Sequence, residues 1–438
     1  MEKEINLKLI EKFEKKYAKN QGNKIIENAI IKNGIRDSSL NNESVKKHPF
    51  TFSVETKVGD ITNQKRSGRC WIFASLNMAR LAIMKALNVE SIELSQNYVA
   101  FYDYLEKANR YLDFMIREGL KLNTTDRLFE YYNDNPVDDG GYYEWFIDLA
   151  KKYGIVTKDA MPETFQSEDT HFMFWEINWR LKAYVAKMRA EKLSEDELYE
   201  LKEKALEDVY IILVKSLGKP PKAFKFEYYD KDKKYHSLTS TPFEFFDKYV
   251  KEELKNKVTI ISDPRDIYPL NRLLHSKYVN NIVNGQGLLK LNVSIEEQKK
   301  AIISSLKEGN AVWFGCDVGT YSSTKLGIMD ANLYSTDLTL CPILEYSKKQ
   351  KFELGASVIS HAMNFVGVNL DEKEKPINWK VENSWGDEVG KKGIFSMSDK
   401  WFDEYSYEAI VDKKYLSPEA LKGLEEEAIE LPLYDPIM

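Results

Sequence analysis

The chain of 438 residues is poor in several residue types, and each shortage excludes a class of protein. Its three cysteines, Cys70, Cys316 and Cys341, cannot all pair, which argues against a disulfide framework and for a reducing compartment. Positive charge is not in excess, because 63 basic residues stand against 69 acidic ones, for a net charge of −6. A broad basic surface for nucleic acid is therefore not expected.

Long apolar segments are also missing from the sequence. No apolar run approaches the roughly 18 residues that span a membrane, and residues 1–17 carry charges where a secretion signal has an apolar core. We therefore expect a soluble, cytoplasmic protein without a membrane partner. Neither Cys316 nor Cys341 has a His or Cys neighbour at metal-ligand spacing. We interpret both as structural and expect neither a metal nor another cofactor.

The sequence divides into four parts. Residues 1–50 are polar and charged and predict an N-terminal arm laid over the main body. Residues 51–156 predict a helical lobe, and residues 157–285, rich in Lys, Glu and aromatics, predict a large and mainly helical insertion. Residues 286–438 predict a β-rich lobe that ends in a C-terminal tail. This order predicts a two-lobed α+β fold with a cleft between the lobes.

Apolar spacing and capping residues indicate the main elements. Apolar residues recur at helical spacing after Cys70, which predicts a helix from Cys70 to about Lys85. In the predicted insertion, Ser194 and Glu197 form a capping-box pattern ahead of another helix. Apolar, β-branched and aromatic residues predict strands in the ranges 311–318, 361–370, 379–385 and 393–398.

Cys70 stands at the start of a predicted helix, where a cysteine readily becomes a nucleophile. A thiol attacks only as the thiolate, and the free N–H groups and positive dipole end of a helix N-terminus lower the pKa of a thiol. Gln64 precedes it in the segment QKRSGRCW, Gln64–Trp71. The side-chain amide of Gln64 and the backbone N–H of Cys70 can donate to the oxyanion of a tetrahedral intermediate.

A cysteine nucleophile also needs a base, and a third group that orients the base. Of the five histidines, only His361 begins an apolar strand. Asn383 follows on the predicted next strand, where its amide oxygen can accept from one imidazole nitrogen while the other faces Cys70. Trp385 can shield that hydrogen bond from water. Together with Gln64, these residues point to a cysteine hydrolase.

Each of these residues also has an ordinary structural interpretation. A lone buried cysteine is more often packing than nucleophile, a histidine at a strand start is usually structural, and Asn383 followed by Ser384 is typical of a turn. Only the combination favours catalysis. The acidic residues Asp134, Asp138 and Asp139 are interpreted as a solvated loop rather than as a metal site.

Taken together, these residues resemble the papain-like cysteine peptidases. That family carries C-G-[SA]-C-[WY] around its nucleophile. Here the segment Ser67–Trp71 reads SGRCW, so it keeps the glycine and the tryptophan but not the upstream cysteine. The resemblance is closer to the branch of bleomycin hydrolase and aminopeptidase C, and the segments that carry it are Asn28–Ile35, Asp60–Asn77, Leu94–Tyr98, Asp139–Gly141, Lys152–Glu163, Val312–Gly319, Ser360–Met363 and Val381–Gly386.

The resemblance implies a role for each matched residue. It makes Cys70 the nucleophile and His361 the acid and base, while Asn383 orients the imidazole and Gln64 donates to the oxyanion. It also implies a papain-like two-lobed fold, peptide substrates, and a homohexameric barrel whose active sites face an internal channel. Nucleic acid is not an expected partner.

The C-terminal tail departs from the family pattern. In relatives the terminal carboxylate lies in the cleft, binds the free amine of the substrate and limits cleavage to one residue at a time. Here the tail reaches only Met438, about four residues early, so its carboxylate would fall roughly 13 Å short at about 3.3 Å per extended residue. An aminopeptidase and an oligo-endopeptidase therefore both stay open, beside a catalytically inactive or nucleic-acid-binding scaffold.

Overall fold

Helices fill most of the first half of the chain, and strands are concentrated in the second, in the computed structural model, which describes residues 4–437. Within these residues the helices are Leu7–Ala18 (α1), Gly22–Ser39 (α2), Asn42–Val45 (α3), Cys70–Leu87 (α4), Gln96–Arg117 (α5), Arg127–Asn133 (α6), Tyr143–Tyr153 (α7), Phe165–Glu168 (α8), His171–Ala190 (α9), Glu195–Leu217 (α10), Pro242–Tyr249 (α11), Lys251–Leu254 (α12), Ile295–Lys307 (α13), Thr336–Thr339 (α14), Lys348–Glu353 (α15), Asp399–Tyr405 (α16) and Pro418–Gly423 (α17). The strands are Val54–Glu55 (β1), Phe224–Tyr229 (β2), Tyr235–Ser240 (β3), Lys257–Ile261 (β4), Arg272–Ser276 (β5), Leu288–Asn292 (β6), Val312–Cys316 (β7), Ser322–Ser323 (β8), Ile328–Met329 (β9), His361–Leu370 (β10), Pro376–Glu382 (β11), Ile394–Ser398 (β12), Ser406–Asp412 (β13) and Ile429–Glu430 (β14).

One large mixed sheet forms the β-rich lobe. Its strand order is β14-β5-β6-β4-β13-β7-β10-β11-β12-β9-β8, with β1 paired to β10. Most neighbours are antiparallel, whereas β4 with β6, β9 with β12 and β5 with β14 are parallel. Strands β4 and β5 come from the range 157–285, so this sheet draws on residues inside the predicted insertion. Strands β2 and β3 form a separate hairpin.

Helix α4 lies at the centre of the helical lobe. Its residues 71–80 are all buried, and it ends at Asn88, which adopts a left-handed conformation with φ of 54°. By length and composition α4 would suffice to cross a membrane, contrary to the expectation from the sequence. However, 72% of it is buried inside the protein, which is typical of the core helix of a folded lobe.

Side-chain caps explain where α5 and α10 begin. The hydroxyl of Ser95 accepts from the N–H of Tyr98 at 3.0 Å at the start of α5. Ser194 and Glu197 form a complete capping box at the start of α10. The predicted capping box is confirmed. At the start of α9, by contrast, Thr170 makes no side-chain cap.

Polar contacts fasten α4 to the sheet and so fix the two lobes relative to each other. The side chain of Asn364 on β10 donates to the backbone carbonyl of Ala74 at 2.9 Å. Arg80 on α4 forms a 2.5 Å ion pair with Glu382 at the end of β11, and both are buried. Asn77 donates to the same carboxylate at 3.2 Å.

The N-terminal residues reach the body through several contacts, which include the buried side chains of Ser39 and His48. His48 lies between the hydroxyl of Ser396, 2.7 Å from Nδ1, and the carboxylate of Asp330, 3.1 Å from Nε2. By contrast, no residue of α1 is buried within the described part of the chain, and its Leu7 and Phe13 are exposed. The division of the chain into four parts stays a prediction.

Candidate active site

Cys70 is the first residue of α4 and is partly exposed. Arg69 before it makes no side-chain cap, and its carbonyl accepts from the N–H of Ile72 at 3.0 Å, so the N–H groups of Cys70 and Trp71 are left for the site. The backbone N–H groups of Ala362 and Trp71 face the sulfur and lower the pKa of the thiol. Because Ala362 follows His361 on β10, the nucleophile candidate lies against the strand that carries the base candidate.

His361 and Asn383 are joined by a hydrogen bond. Nε2 of His361 lies 2.9 Å from Oδ1 of Asn383, which also accepts from the backbone N–H of Ser384 at 2.8 Å. The ring of Trp385 lies 4.7 Å from the imidazole, centroid to centroid, at an angle of 32°. His361 is 7% exposed and Asn383 only 1%. The arrangement fixes the imidazole and keeps water from its bond to the amide.

Burial controls the protonation of Cys70 and His361. It raises the pKa of the Cys70 thiol to about 11. It also lowers the pKa of His361 to about 4, although the bond to Asn383 opposes this shift. Neither group therefore takes on charge alone near neutral pH. A thiolate and an imidazolium formed together attract each other strongly in the same low-dielectric space, so proton transfer within the pair is favoured over exchange with solvent.

The side-chain amide of Gln64 is held in one orientation. Its oxygen accepts from the hydroxyl of Ser384 at 2.8 Å, and its nitrogen donates to the carbonyl of Ser67 at 2.6 Å. The backbone N–H of Gln64 also donates to the carbonyl of Ser384 at 2.8 Å. An amide nitrogen carries two hydrogens, so one is left for a substrate oxygen.

The structure corrects the interpretation of Asp139 as a solvated residue. Its carboxylate accepts from the backbone N–H of Gly68 at 2.8 Å and from the hydroxyls of Tyr104 and Thr170, both at 2.5 Å. Its backbone carbonyl accepts from the indole N–H of Trp71 at 2.8 Å. Asp139 is therefore part of the support of the nucleophile segment.

The neighbouring acidic residues differ from one another. Buried Lys107 forms ion pairs with Asp103 at 2.8 Å and with Asp138 at 3.1 Å, and it donates to the carbonyl of Gly140 at 2.6 Å. Asp138 is thus tied into the loop, which the sequence did not indicate. Asp134 is exposed, as expected of a solvated residue. Among residues 4–437 no group of three or more His, Cys, Asp or Glu side chains is arranged to hold a metal ion.

The other two cysteines lie in different surroundings. Cys316 ends β7, is fully buried and pairs in register with His361. Burial raises the pKa of its thiol well above the ordinary value. Cys341 is exposed, and both are free thiols. Their structural roles stay predictions.

The comparisons with known proteins agree with this geometry. The sequence profile described as the Peptidase C1-like family matches residues 4–438. The chain belongs to this family. Aminopeptidase C of Listeria monocytogenes is 38% identical over 439 residues, which cover 100% of this chain and 99% of that protein. Bleomycin hydrolase of Mus musculus is 37% identical over 400 residues, which cover 89% of this chain and 88% of that protein.

A solved structure extends the similarity to three dimensions. The crystal structure of PepW from Lactobacillus rhamnosis superimposes with a TM-score of 0.95 at 36% identity, and covers 100% of this chain and 99% of that one. The protein is thus a papain-like cysteine peptidase, and both the predicted branch of the family and the α+β two-lobed fold are confirmed. The catalytic roles of the individual residues stay predictions.

In this Peptidase C1-like chain the C-terminal tail is anchored to the body. The carboxylate of Asp435, which is 5% exposed, pairs with Arg265 at 2.8 Å and accepts from the hydroxyl of Tyr268 at 2.9 Å. Arg265 also pairs with buried Asp263 at 2.8 Å. The predicted role of Met438 concerns a residue that lies outside the described part of the chain.

The last described residue of the tail lies on the face of the sheet that carries the helical lobe. The ammonium of Lys290 donates to the carbonyl of Ile437 at 3.1 Å and pairs with Glu408 at 2.6 Å. In the sheet Glu408 pairs with Gly315, which pairs in turn with Ala362. Directly paired side chains share a face, and that of Ala362 packs in the core of the helical lobe. The tail therefore ends on the side of the sheet where Cys70 lies.

Cys70, His361, Asn383 and Gln64 were expected from the sequence to lie together, but the residues that hold them were not. Ser384 was interpreted as a turn residue and Asp139 as solvated, and Ser67 was given no role in the site. A serine or aspartate in a polar loop has no distinctive pattern, because its partners lie far along the chain. The available signal was position, since Ser384 and Asp139 fall within segments that resemble the papain-like family.

Proposed function

We propose that this chain hydrolyses peptide bonds through a thiolate at Cys70 and acts on short peptides as an aminopeptidase. The observation that carries the proposal is the placement of Cys70 at the start of α4, against the β10 residue next to His361, whose imidazole bonds Asn383 at 2.9 Å. The acyl-transfer chemistry needs a nucleophile, a base and an orienting group. These residues supply all three.

The proposed reaction proceeds by acyl transfer. His361 takes the proton of Cys70, and the thiolate attacks the carbonyl carbon of the scissile bond to form a C–S bond. The oxyanion is stabilised by the N–H of Cys70 and the amide of Gln64. The C–N bond breaks as the imidazolium gives its proton to the leaving amine. Water, deprotonated by His361, then attacks the thioester, and the sulfur leaves as thiolate.

The tail supports the aminopeptidase mode. Ile437 ends on the cleft side of the sheet, and the Asp435–Arg265 pair keeps the tail there. A chain segment in a cleft shortens the room for substrate on one side of the scissile bond, which favours cleavage close to a terminus. The relatives named aminopeptidase C also support this mode.

One pair of peptides separates the candidate activities. A short peptide with a free amine and its N-acetylated twin are incubated with the protein, and the products are identified by mass spectrometry. The aminopeptidase proposal expects release of the first residue from the free peptide and slow cleavage of the twin. Efficient internal cleavage of the twin would establish the oligo-endopeptidase instead. If neither peptide is cleaved, or if Cys70→Ser retains full activity, the peptidase mechanism proposed for this site is wrong.

We also propose that the chain assembles into a homohexamer in the cytoplasm. The exposed apolar residues of α1 support assembly, because Leu7 is 77% and Phe13 56% exposed and no residue of this helix is buried among those described. Three free cysteines support a reducing compartment. Sedimentation velocity of the full chain and of a variant with Leu7→Ser and Phe13→Ser tests the assembly. A monomeric full chain contradicts it.

A further inference from the structure

Asp139 contacts the protein on both sides of the nucleophile candidate. Its carboxylate accepts from the backbone N–H of Gly68, and its carbonyl from the indole N–H of Trp71, each at 2.8 Å. Cys70 lies between these two residues in the chain. One aspartate therefore fixes the position of the backbone just before Cys70 and of the side chain just after it.

The Asp139 carboxylate is itself held in place. It accepts from the hydroxyls of Tyr104, which is fully buried, and Thr170. Burial raises the pKa of Tyr104 well above its ordinary value, so its hydroxyl stays a donor. The approach to Gly68 is close, because a Cβ at that position would lie 2.9 Å from the Cβ of Asp139. A larger residue at 68 would push the two segments apart.

Hydrogen bonds link the loop before Cys70 to the segment around residue 139. In the family motif a cysteine stands three residues before the nucleophile, and here that position is Ser67. The hydroxyl of Ser67 donates to the carbonyl of Gln64 at 2.7 Å, which shapes the loop internally. The link from this loop to the segment around residue 139 runs through Gly68 and Asp139.

We propose that Asp139 is a positioning residue for Cys70, which fixes the nucleophile segment and whose negative charge raises the pH at which Cys70 becomes reactive. The inference rests on the proposed role of Cys70. The negative charge of Asp139 raises the pKa of the Cys70 thiol, although less than burial does.

The other titratable groups around Cys70 do not duplicate this charge. His361 on β10 supplies the partner cation when it is protonated. Cys316 on β7 is buried, and its pKa is raised, so it stays neutral. Arg69 is fully buried and pairs with Glu163 at 2.9 Å. Asp139 is therefore the group whose neutralisation changes the field at Cys70 while leaving these pairs in place.

The test compares Asp139→Asn with the natural chain in two measurements. The first is the rate of iodoacetamide alkylation of Cys70 against pH, read by mass spectrometry of its peptide, which does not depend on peptidase activity. Removal of the charge is expected to lower the apparent pKa of alkylation by roughly 0.5 unit. The second is the pair kcat and KM, where kcat is expected to fall about tenfold because the segment is misplaced, with KM changed by less than about twofold.

Two further variants separate charge from geometry. Asp139→Glu keeps the charge but misplaces the loop, so it is expected to lower kcat without lowering the apparent pKa of Cys70. Asp134→Asn removes a charge from the exposed part of the same loop and is expected to change neither quantity. The proposal is overturned if the alkylation profile of Asp139→Asn is unshifted, or if Asp134→Asn shifts it equally. An Asp139→Glu variant with unchanged kcat would overturn the positioning role even if Asp139→Asn did not fold.

Discussion

Ser384 is bonded twice to Gln64. Its hydroxyl donates to the amide oxygen of Gln64, and its carbonyl accepts from the backbone N–H of Gln64, both at 2.8 Å. Ser384 follows Asn383 directly, and its own N–H donates to the Asn383 amide oxygen at 2.8 Å. One serine thus joins the proposed oxyanion donor to the residue that orients the imidazole. A displacement of Gln64 therefore also displaces Asn383 through Ser384, and the reverse holds as well.

Replacement of Ser384 by alanine is expected to lower kcat more than it changes KM. Without the hydroxyl, the Gln64 amide can rotate and lose the orientation in which its N–H faces an oxyanion, which develops only in the transition state. We expect a fall in kcat of about tenfold, from steady-state kinetics on a free-amine peptide. Ser304→Ala, on the exposed face of α13, is the matched control. A raised KM at unchanged kcat would assign Ser384 to substrate binding instead.

Removal of His361 is expected to make Cys70 less reactive than an ordinary thiol. Burial raises the pKa of Cys70 to about 11, so without an imidazolium beside it only roughly 10⁻⁴ of the thiol is ionised at pH 7. Alkylation of Cys70 by iodoacetamide at pH 7 should therefore slow by about 100-fold or more in His361→Ala. Cys341, exposed and free, serves as the internal reference in the same sample. Equal alkylation of Cys70 in both proteins would mean that His361 does not activate it.

The sequence predicted the parts of the site that depend on local pattern. Cys70 begins an amphipathic segment, and His361 begins an apolar strand, so both could be placed on an element from spacing alone. Asn383 was expected on the next strand, and it lies one residue beyond the end of β11. The element on which each residue lies depends on the spacing of apolar residues close to it in the chain, and this spacing can be read from the sequence.

The parts of the site that were not predicted depend on contacts between segments distant in the chain. Asp139 reaches Gly68, and Ser384 reaches Gln64, across separations that one sequence does not show. The search of the sequence for long apolar runs also passed over α4, which by length and composition would suffice to span a membrane. Its hydrophobicity reflects burial on most sides within the helical lobe, since a core helix is apolar nearly all round.

The pair of Arg80 and Glu382 gives a pH-dependent prediction for stability. Burial already raises the pKa of Glu382 to about 6, although Arg80 opposes that shift. In Arg80→Met the buried carboxylate keeps the hydrogen bond from Asn77 but loses its ionic partner, so its folded-state pKa rises further above the unfolded value. We expect the variant to lose about 3 kcal/mol or more in free energy of unfolding at pH 7.5.

The sign of the pH effect follows from that raised pKa. A carboxyl group whose folded-state pKa lies above the unfolded one costs stability when it is ionised; this cost shrinks as the pH falls below the folded-state pKa and is gone below the unfolded-state pKa. Arg80→Met is therefore expected to recover stability relative to the natural chain at pH 5.0, measured by urea unfolding. The double variant Arg80→Met with Glu382→Gln should be much less sensitive to this change of pH. An equal loss for Arg80→Met at both pH values would show that the carboxylate is not the cause.

Release of the C-terminal tail is expected to weaken the preference for peptides with a free amine. Asp435→Ala removes the carboxylate that binds Arg265 and Tyr268, while Arg265 keeps its pair with Asp263 at 2.8 Å and is not left without a partner. The last residues of the tail can then leave the cleft side of the sheet. We expect the ratio of kcat/KM for an N-acetylated peptide to that for its free-amine twin to rise by about tenfold or more.

The matched control lies on the same tail. Glu430→Gln removes a carboxylate that bonds His275 instead of Arg265, so it changes the charge of the tail but leaves this anchor intact. Its ratio of the two kcat/KM values should equal that of the natural chain. If Asp435→Ala also leaves the ratio unchanged while limited proteolysis shows that the tail is released, then the tail does not set the substrate preference. The acceptance of a blocked terminus must in that case be determined by the residues that line the cleft, because the peptides differ only at their amine.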